Sequence, residues 1–353
     1  MKYKLSLCTV CMNRTMHLRE TFPRNIADNI GYGNIEFVLL NYNSSDDLHE
    51  WVQTAMAKYL EQGILKYYHT REPQFFQMSH AKNMVFRLAA GDILCGIDAD
   101  NFTGPGFAEY VNERFVNNRQ IYLQPPAIGD AKKYWDVQGR VAVHRDDFHA
   151  VHGYDEAVQE YGFEDQDFKK RLQLLGCSKH IIKAETYLQA IPHEDRMRIK
   201  GGMALWKLQK LFYCQAPVPE IIYLQDNNMY EKVTVDHHLL CNDATTFLKT
   251  PIKKIYAGNF LYKEDKYHLY KKNNENYLTL SPIGDGSLLS QDERVFQPIY
   301  PGELGENFLF QRAMYLSKKI YLSNRNQPKI INSNGYGKGT VQEYVTKKTH
   351  LLA

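Results

Sequence analysis

The sequence predicts an α/β fold, in which helices flank a mostly parallel sheet and a smaller β-rich region follows. Two observations lead to this prediction. From residue 3 to residue 100, short apolar runs alternate with segments whose apolar residues recur every three to four positions. Beyond residue 215, short runs rich in Tyr, Asn and Lys are separated by turn sequences. Repeated strand–helix steps favour parallel strands with right-handed crossovers, whereas short turn-separated runs favour antiparallel strands.

The first hundred residues contain four strands joined by helices. Leu18, Phe22 and Ile26 recur every four residues, which predicts one face of a helix, and the continuous apolar run 35–40 predicts a buried strand. The predicted strands are residues 3–10, 35–40, 65–69 and the run that begins at 92, and the predicted helices are 15–29, 46–61 and 79–90.

The pattern continues less regularly as far as residue 215. It predicts strands at 121–123, 140–143 and 181–187, and helices at 146–151, 164–175 and 196–215. Pro217 and Pro219 follow the last of these helices, and proline punctuates regular structure. We therefore expect one domain over residues 1–215 and an accessory β-rich region of unknown role over residues 216–353.

Composition limits the classes of partner. The chain has 353 residues, 44% of them hydrophobic, and its 43 Lys and Arg against 40 Asp and Glu give a net charge of +3. This balance is too weak to predict nucleic-acid binding. No apolar run approaches the ~20 residues that span a bilayer, and the N-terminal residues lack a signal-peptide pattern. We therefore expect a cytoplasmic protein without a transmembrane segment.

Two carboxylates end the fourth predicted strand, at Asp98 and Asp100. Alternate side chains of a strand project to the same face, so we expect both carboxylates on one side at the carboxyl end of the strand. Ligands of open α/β sheets bind at that edge. Adjacent carboxylates repel each other, which favours a divalent cation beside them. The alternative interpretation is that both side chains only make hydrogen bonds within a turn at the end of the strand.

A second acidic segment begins the helix predicted near residue 164. Asp165 precedes Leu172 by seven residues and therefore lies on the helix face that Phe168 and Leu172 bury. Glu164 and Asp165 could simply favour the positive end of the helix dipole. That alternative does not explain the inward direction of Asp165, or Tyr161 and Phe163 on either side of a glycine. Aromatic rings beside a carboxylate suit a sugar hydroxyl that must be positioned and deprotonated, so we predict a general base.

A histidine follows in the polar segment after residue 190. His193 has Glu194 and Asp195 behind it, and a neutral imidazole there could complete a cation site begun by Asp100. A lone histidine is more often a hydrogen-bonded structural residue, so this prediction depends on the two acidic motifs.

Together these motifs resemble glycosyltransferase family 2, which uses nucleotide sugars and has the Rossmann-like GT-A fold. The Glu164-Asp165 segment and His193 also resemble the β-1,4-galactosyltransferases. The resemblance covers roughly residues 1–215 and rests on five motifs in order: Asp98-Ala99-Asp100, Gly139 to Val143 with Asp146-Asp147-Phe148, Gly153-Tyr154-Asp155, Gly162 to Asp167, and His193.

The resemblance implies a metal-dependent, inverting transfer of a sugar from a nucleotide-diphosphate sugar, expected to be UDP-linked, to a hydroxyl acceptor. It implies Mn²⁺ or Mg²⁺ held by Asp100 and His193, with Asp98 at the ribose or beside the metal. Asp165 would be the base, and Glu164, Tyr161 and Phe163 would bind the acceptor, expected to be a glycan in polysaccharide biosynthesis. A membrane-linked acceptor would require only peripheral association.

The resemblance also implies a nucleotide-binding set at the first strands and in the helix before Asp98. That set is Thr9, Val10, Arg14, Asn41, Asn43, Asp46, His80, Lys82 and Asn83. The segment 41–46 departs from the family, because it has Asn where many members have Asp. This departure makes selectivity for uridine less secure.

Two other functions remain open on the sequence. A sugar nucleotidyltransferase would need a glycine-rich phosphate loop after the first strand, and residues 8–18 contain no glycine. A non-catalytic sugar-binding or assembly protein has no need for Asp98, Asp100, Asp165 and His193 together. Metal-dependent nucleotide release distinguishes the second alternative from an enzyme.

Overall fold

The computed structural model describes residues 2–128, 133–194, 196–215, 217–236, 252–271, 275–300, 302–325 and 330–353. The chain forms two compact units, which we call the sheet unit and the barrel unit. The sheet unit consists of residues 1–193 together with 317–353, and the barrel unit consists of residues 194–316.

The predicted strand–helix steps open the sheet unit. They are β1 (Leu5–Cys11), α1 (Thr15–Asn29), β2 (Ile35–Tyr42), α2 (Leu48–Ala55), α3 (Ala57–Glu61), β3 (Leu65–Thr70), α4 (Met78–Leu88) and β4 (Ile93–Gly96). The helix predicted over 46–61 is divided, because Met56 lies outside helical geometry between α2 and α3. β4 ends at Gly96, two residues before the acidic pair.

Shorter elements complete this part of the sheet unit. They are β5 (Asn101–Phe102), α5 (Phe107–Asn117), β6 (Ile121–Gln124), β7 (Ala142–His144), α6 (Arg145–Ala150), α7 (Glu164–Leu174), β8 (Ser178–Ile181) and β9 (Gln189–Ala190). Short 3₁₀ turns occupy 30–32, 135–137 and 185–187. The strand predicted over 181–187 is wrong: β8 pairs with β6 and ends at Ile181.

The barrel unit is an antiparallel barrel. Its elements are α8 (Arg196–Ile199), α9 (Met203–Trp206), β10 (Leu208–Cys214), β11 (Glu220–Gln225), β12 (Met229–Val235), β13 (Ile252–Lys263), β14 (Lys266–Tyr270), β15 (Asn276–Pro282), β16 (Leu288–Ser290) and β17 (Val295–Ile299). The eight strands pair in sequence order, and β10 pairs with β17 to close the barrel. The helix predicted over 196–215 is wrong, because Phe212 and Cys214 enter the apolar core of this barrel from strand β10.

The last elements return to the sheet unit. They are α10 (Glu303–Asn324), of which residues from 317 onward belong to the sheet unit, β18 (Gly339–Glu343) and β19 (Thr349–Leu352). β18 pairs antiparallel with β3 and so covers the edge of the parallel strands. The division of the chain thus differs from the predicted one: the β-rich unit begins at 194 instead of 216, and residues 317–353 belong to the first unit.

In the described part of the chain, the sheet has nine strands in the order β19-β18-β3-β2-β1-β4-β7-β6-β8. Strands β3, β2, β1 and β4 are mutually parallel. β2 is buried on both faces, since Phe37 and Leu39 pack in one apolar layer while Val38 and Leu40 pack in the other. The predicted fold class is confirmed: helices flank a mostly parallel sheet, and the β-rich region is an antiparallel barrel. Among the described residues, we find no helix with the length and apolarity of a membrane span.

Candidate active site

The acidic pair lies in a turn just beyond β4. The Asn101 amide donates to the Asp98 carbonyl across 3.0 Å, so residues 98–101 form a tight turn. The expectation that strand alternation would place both carboxylates on one face is wrong, because the strand ends at Gly96. The turn, at the carboxyl end of β4, positions them instead.

Helix α1 holds this turn through a stripe of polar residues four apart. The Thr21 hydroxyl donates to the Ala99 carbonyl (2.7 Å), and the Asn25 side-chain amide donates to the Asn101 carbonyl (2.8 Å). The Asn25 side-chain oxygen accepts from the Thr103 amide (2.8 Å). This stripe lies beside the apolar positions that predicted the helix. Its polar residues recur every four positions, and this spacing could have predicted from the sequence that α1 makes a polar contact.

Asp100 and His193 meet at the end of the turn. β9 pairs with β5 directly after the turn, and the Ile191 amide donates to the Asp100 carbonyl (2.8 Å), which brings His193 to the carboxylate. His193 Nε2 lies 2.8 Å from Asp100 Oδ2. We call this pair the His193 corner. Burial would raise the pKa of Asp100, but the hydrogen bond and charge of His193 outweigh burial and lower it.

The His193 corner has room for further bonds. His193 Nδ1 is buried and has no hydrogen-bond partner among the described residues. The His17 ring, on the first turn of α1, lies with its centroid 6.1 Å from that of His193. Burial lowers the pKa of His17, and the charge of Asp100 opposes that effect. His17 was not predicted, since nothing in the sequence links it to a residue 176 positions later.

The donor atoms of this corner fit a divalent cation as part of a larger ligand set. Among the described residues, no three His, Cys, Asp or Glu side chains are arranged to hold a metal. Asp100 and His193 offer one oxygen and one nitrogen, which suit Mn²⁺ and tolerate Mg²⁺. Adjacent ligands on an octahedral ion at ~2.1 Å are about 3.0 Å apart, close to the observed 2.8 Å between the two atoms. Substrate phosphates and water commonly complete such two-residue sites.

Asn101 and Arg140 orient Asp100 through a chain of hydrogen bonds. The Asn101 side-chain amide donates to Asp100 Oδ1 and to the Asp136 carbonyl, each across 2.9 Å. Arg140 Nη2 donates in turn to the Asn101 side-chain oxygen (3.1 Å). Arg140 is fully buried, and burial lowers its pKa to about 10 although the charges of Cys95, Asp98 and Asp100 oppose this. Neither Asn101 nor Arg140 was predicted as a site residue.

Asp98 packs against Gly139. A Cβ atom at residue 139 would lie 2.8 Å from Asp98 Oδ1 and still closer to Oδ2, so any larger residue there would displace the Asp98 carboxylate. Burial, followed by the charges of Asp100 and Asp165, raises the pKa of Asp98 to about 6, while Lys82 and Arg140 lower it. Asp98 is therefore electrostatically linked both to Asp100 and to the second acidic segment.

Glu164 and Asp165 share one lysine. Lys82 of α4 places Nζ 2.7 Å from Asp165 Oδ1 and 3.2 Å from Glu164 Oε1, and all three side chains are buried. We call these three residues the Lys82 corner. Burial alone would lower the pKa of Lys82, but the charges of Asp165 and Glu164 raise it well above its usual value. Burial and the Asp165 charge raise the pKa of Glu164 to about 7, against the opposing effect of Lys82.

Helix α7 begins abruptly, which turns its first residues inward. Gly162 and Phe163 have positive φ angles of 94° and 65°, and the helix starts at Glu164. The Phe163 ring stacks on Tyr321 (centroids 5.6 Å apart), so one of its faces is already covered, and Tyr161 is half-buried. The inward direction predicted for Asp165 agrees with its burial.

Helix α7 also contains a buried ion pair. Arg171 Nε lies 2.7 Å from Asp167 Oδ2, and both side chains are almost inaccessible. Arg171 also donates to the carbonyls of Val151 and Gly153, so it ties α7 to the chain after α6.

Some residues predicted to bind the nucleotide lie at the carboxyl ends of β1 and β2. Thr9 and Val10 belong to β1, and Arg14 directly precedes α1. Asn41 donates to the Tyr67 hydroxyl (3.0 Å), and its side-chain oxygen accepts from the Ser44 amide (2.8 Å). Asp46 accepts from the amides of Thr15 and Leu48, near the starts of α1 and α2. Nucleotide contacts of these residues stay predictions.

The residues predicted in α4 make other contacts. The His80 ring lies 2.7 Å from the Tyr42 hydroxyl through Nδ1 and 2.8 Å from the Lys338 carbonyl through Nε2. Asn83 bonds through both side-chain atoms to the backbone of Tyr154. These two side chains anchor neighbouring segments of the sheet unit, and the third residue of the set, Lys82, lies in the Lys82 corner.

Comparisons with known proteins give one family match and several similar solved structures. The profile of the family described as glycosyl transferase family 2 matches residues 6–181. No curated protein matches the chain. Among solved structures, the chain is similar to the mannosyltransferase PcManGT from Pyrobaculum calidifontis in complex with GDP-Man and Mn²⁺, at 16% identity and a TM-score of 0.44. That match spans 59% of this chain and 60% of the mannosyltransferase, less than two thirds of its length.

Two further structures resemble the chain. One is S. aureus TarS 1–349 in complex with UDP-GlcNAc, at 12% identity over 57% of this chain and 65% of that chain, with a TM-score of 0.39. The other is GalNAc-T7 with UDP, GalNAc and Mn²⁺, at 12% identity over 86% of this chain and 80% of that chain, with a TM-score of 0.43. The predicted family is confirmed by the profile, which matches a glycosyl transferase family 2 domain over residues 6–181.

Proposed function

We propose that this protein is a metal-dependent, inverting glycosyltransferase that moves a sugar from a nucleotide-diphosphate sugar, UDP-linked in our expectation, to a hydroxyl group of a glycan acceptor. One observation chiefly supports the proposal. The sheet unit holds both corners: His193 lies 2.8 Å from Asp100 in the turn after β4, and Lys82 lies 2.7 Å from Asp165 at the start of α7. The two corners provide the two chemical tasks that glycosyl transfer requires, neutralising a leaving group and activating a nucleophile.

The His193 corner would bind the donor. Asp100 and His193 would hold Mn²⁺ or Mg²⁺, which when bound offsets the negative charge of the departing diphosphate. Asn101 fixes the orientation of Asp100, because its side-chain amide occupies Oδ1 and leaves Oδ2 toward His193. Asp98, whose position depends on Gly139, is the candidate for the donor ribose.

The Lys82 corner would activate the acceptor. Asp165 removes the proton of the acceptor hydroxyl as the hydroxyl oxygen bonds to the anomeric carbon and the bond from that carbon to the diphosphate oxygen breaks. The proton ends on the Asp165 carboxylate, and the electron pair leaves with the diphosphate. Glu164, with Tyr161 and Phe163, positions the acceptor. One displacement with one base inverts the anomeric configuration.

A panel of nucleotide sugars tests this function. We expect wild-type protein to release nucleotide from one donor in the presence of Mn²⁺, with release abolished by a chelator and by Asp100→Asn. Asp146→Asn is the matched control, because Asp146 is an exposed aspartate on α6. Nucleotide release that is independent of metal and survives Asp100→Asn contradicts the assignment of the His193 corner.

Product analysis tests the mechanism and the alternative enzyme. NMR of the product should show an inverted anomeric configuration, and a retained configuration contradicts Asp165 as an in-line base. Pyrophosphate release from a nucleoside triphosphate and a sugar phosphate would instead indicate a sugar nucleotidyltransferase.

A further inference from the structure

Lys82 occupies a place that its predicted nucleotide contact does not explain. It comes from the buried face of α4, and its ammonium lies between two carboxylates of α7, 82 and 83 residues later in the chain. Its Nζ also lies 5.2 Å from the centroid of the Tyr154 ring, which itself stacks on Phe168 at 4.2 Å. The stacked rings and two hydrogen bonds fix the ammonium within the protein interior.

The Lys82 corner needs a cation at this point. Glu164 and Asp165 are neighbours in sequence, both are buried, and two buried carboxylates repel each other strongly. Lys169 is a second buried lysine one helical turn beyond Asp165, but it has no ion pair with any carboxylate in the described part of the chain. The cation that contacts both carboxylates directly is therefore Lys82.

We propose that Lys82 is the positioning residue of the catalytic base, holding the carboxylates of Glu164 and Asp165 in one orientation and balancing their charge while the acceptor hydroxyl is deprotonated. This inference rests on the proposed transferase function. Lys82 keeps its three protons throughout the step, since the hydroxyl proton passes to the Asp165 carboxylate. Its ammonium binds Asp165 Oδ1, so Oδ2 is the oxygen left for the acceptor.

The carboxyl pair, and not one residue alone, sets the protonation state of this corner. The charged and titratable groups that face the pair are Lys82 from α4, Asp98 from the turn after β4, Tyr154 from the segment before α7, and Lys169 from α7. Removing the Lys82 ammonium takes its charge away from Asp98 and Tyr154 as well, and among the described residues it removes the cation that is hydrogen-bonded to both carboxylates. The pair then ionises at higher pH, because a nearby positive charge favours the carboxylate form.

The pH profile of kcat/KM tests the role of Lys82. The acid limb is the low-pH side of this profile, where activity rises as the base ionises. In Lys82→Met we expect the acid limb to shift to higher pH by at least one pH unit. Activity relative to wild type should therefore fall about tenfold more at pH 6 than at pH 9. Lys82→Arg should restore most of the wild-type acid limb because it keeps the charge. Lys169→Met should move the limb less than Lys82→Met does, since Lys169 makes no hydrogen bond to the pair. A uniform loss of activity across the pH range in Lys82→Met overturns the proposal.

Nucleotide affinity separates positioning from donor binding. We expect Lys82→Met to bind UDP and Mn²⁺ within about threefold of wild type. A loss of more than tenfold, with the acid limb unmoved, would assign Lys82 to the donor and overturn the proposal. If Lys82→Met fails to fold, Lys82→Gln keeps an amide donor without charge and should show the same upward shift.

A titration independent of turnover separates this inference from the proposed function. ¹³C NMR of labelled Glu and Asp side chains follows the carboxyl pair directly in wild type and in Lys82→Met. If wild type transfers no sugar but the pair titrates at higher pH in the variant, the transferase proposal fails and the effect of Lys82 on the pair stands. If wild type transfers sugar and neither the titration nor the acid limb moves, the inference fails and the transferase proposal stands.

Discussion

The His193 corner and the Lys82 corner balance negative charge in opposite ways. In the Lys82 corner, a lysine with a strongly raised pKa contacts both carboxylates. In the His193 corner, Asp100 contacts the neutral side-chain amide of Asn101 and an imidazole, whose remaining ring nitrogen has no partner among the described residues. The first corner carries a permanent cation of its own, whereas the second can gain charge from a bound ion. We therefore expect pH to control one corner and cation concentration to control the other.

The largest expected effect comes from removing the base, and it distinguishes the role of the Lys82 corner from that of the His193 corner. Asp165→Asn should reduce sugar transfer by about 10²–10⁴-fold, the usual contribution of a general base. Nucleotide binding with Mn²⁺ should persist, because the His193 corner is intact, and slow donor hydrolysis can continue with water as acceptor. Initial rates and calorimetry measure the two properties. An equal loss of nucleotide affinity would show that the corners do not act separately.

The next effect tests how Asp100 is oriented. Asn101→Ala removes the donor to Asp100 Oδ1 and the acceptor of Arg140, leaving a fully buried guanidinium without that bond. Loss of such an orienting residue typically weakens metal affinity by about 10–100-fold. Electron paramagnetic resonance of free Mn²⁺ in the presence of UDP measures this affinity. The acid limb of the pH profile should stay in place, and Asn118→Ala, at an exposed asparagine, serves as control.

A smaller effect is expected where Asp98 meets its glycine. Gly139→Ala places a Cβ against the Asp98 carboxylate, which must move. If Asp98 binds the donor ribose, the donor KM should rise about tenfold, the equivalent of one lost hydrogen bond of ~1.4 kcal/mol. Gly284→Ala is the matched control, because no atom lies within 4 Å of the added methyl group. An unchanged donor KM in Gly139→Ala would remove Asp98 from the donor site.

The smallest effect concerns stability and pH. The pKa of Glu164 is about 7 in the folded chain against an ordinary 4.5, so between these values the folded state keeps a proton that the unfolded state has released. This contribution to stability is fully present below pH 4.5 and is lost as the pH rises through 7. Its slope is at most ~1.4 kcal/mol per pH unit.

Removing the carboxyl should flatten this dependence. Glu164→Gln should show a weaker fall of the unfolding free energy between pH 4.5 and 7 than wild type, measured by urea unfolding. Glu61→Gln, at an exposed glutamate on α3, should keep the wild-type slope. Equal slopes in wild type and Glu164→Gln would contradict the raised pKa.

Much of the sheet unit could be predicted because its signals are local. The spacing of Leu18, Phe22 and Ile26 predicts the buried face of α1. The seven-residue interval from Asp165 to Leu172 gives the inward direction of Asp165, because both depend on helix periodicity alone. The barrel strands were harder to predict from the sequence. The apolar positions of residues 208–214 are compatible with a helix or a strand, and only the pairing with β11 and β17 makes this segment a strand.

The Lys82 corner could not be predicted for a different reason. A lysine among Ala81, Met84 and Val85 is locally an irregularity in an apolar helix face. Its partners lie more than eighty residues away on α7, and no periodicity connects the two helices. The Asn101–Arg140 contact, across 39 residues, is hidden in the same way. Long-range pairing of polar side chains leaves no local pattern to find.

The strand pair at the end of the chain has a consequence for biosynthesis. β3 ends at Thr70 and β18, which covers its edge, begins at Gly339. At a synthesis rate of ~5–20 residues per second, the nascent sheet presents that edge for some tens of seconds. An uncovered strand edge is a template for pairing with other chains. The ribosome must therefore complete the whole barrel unit before β18 can cover the edge of β3.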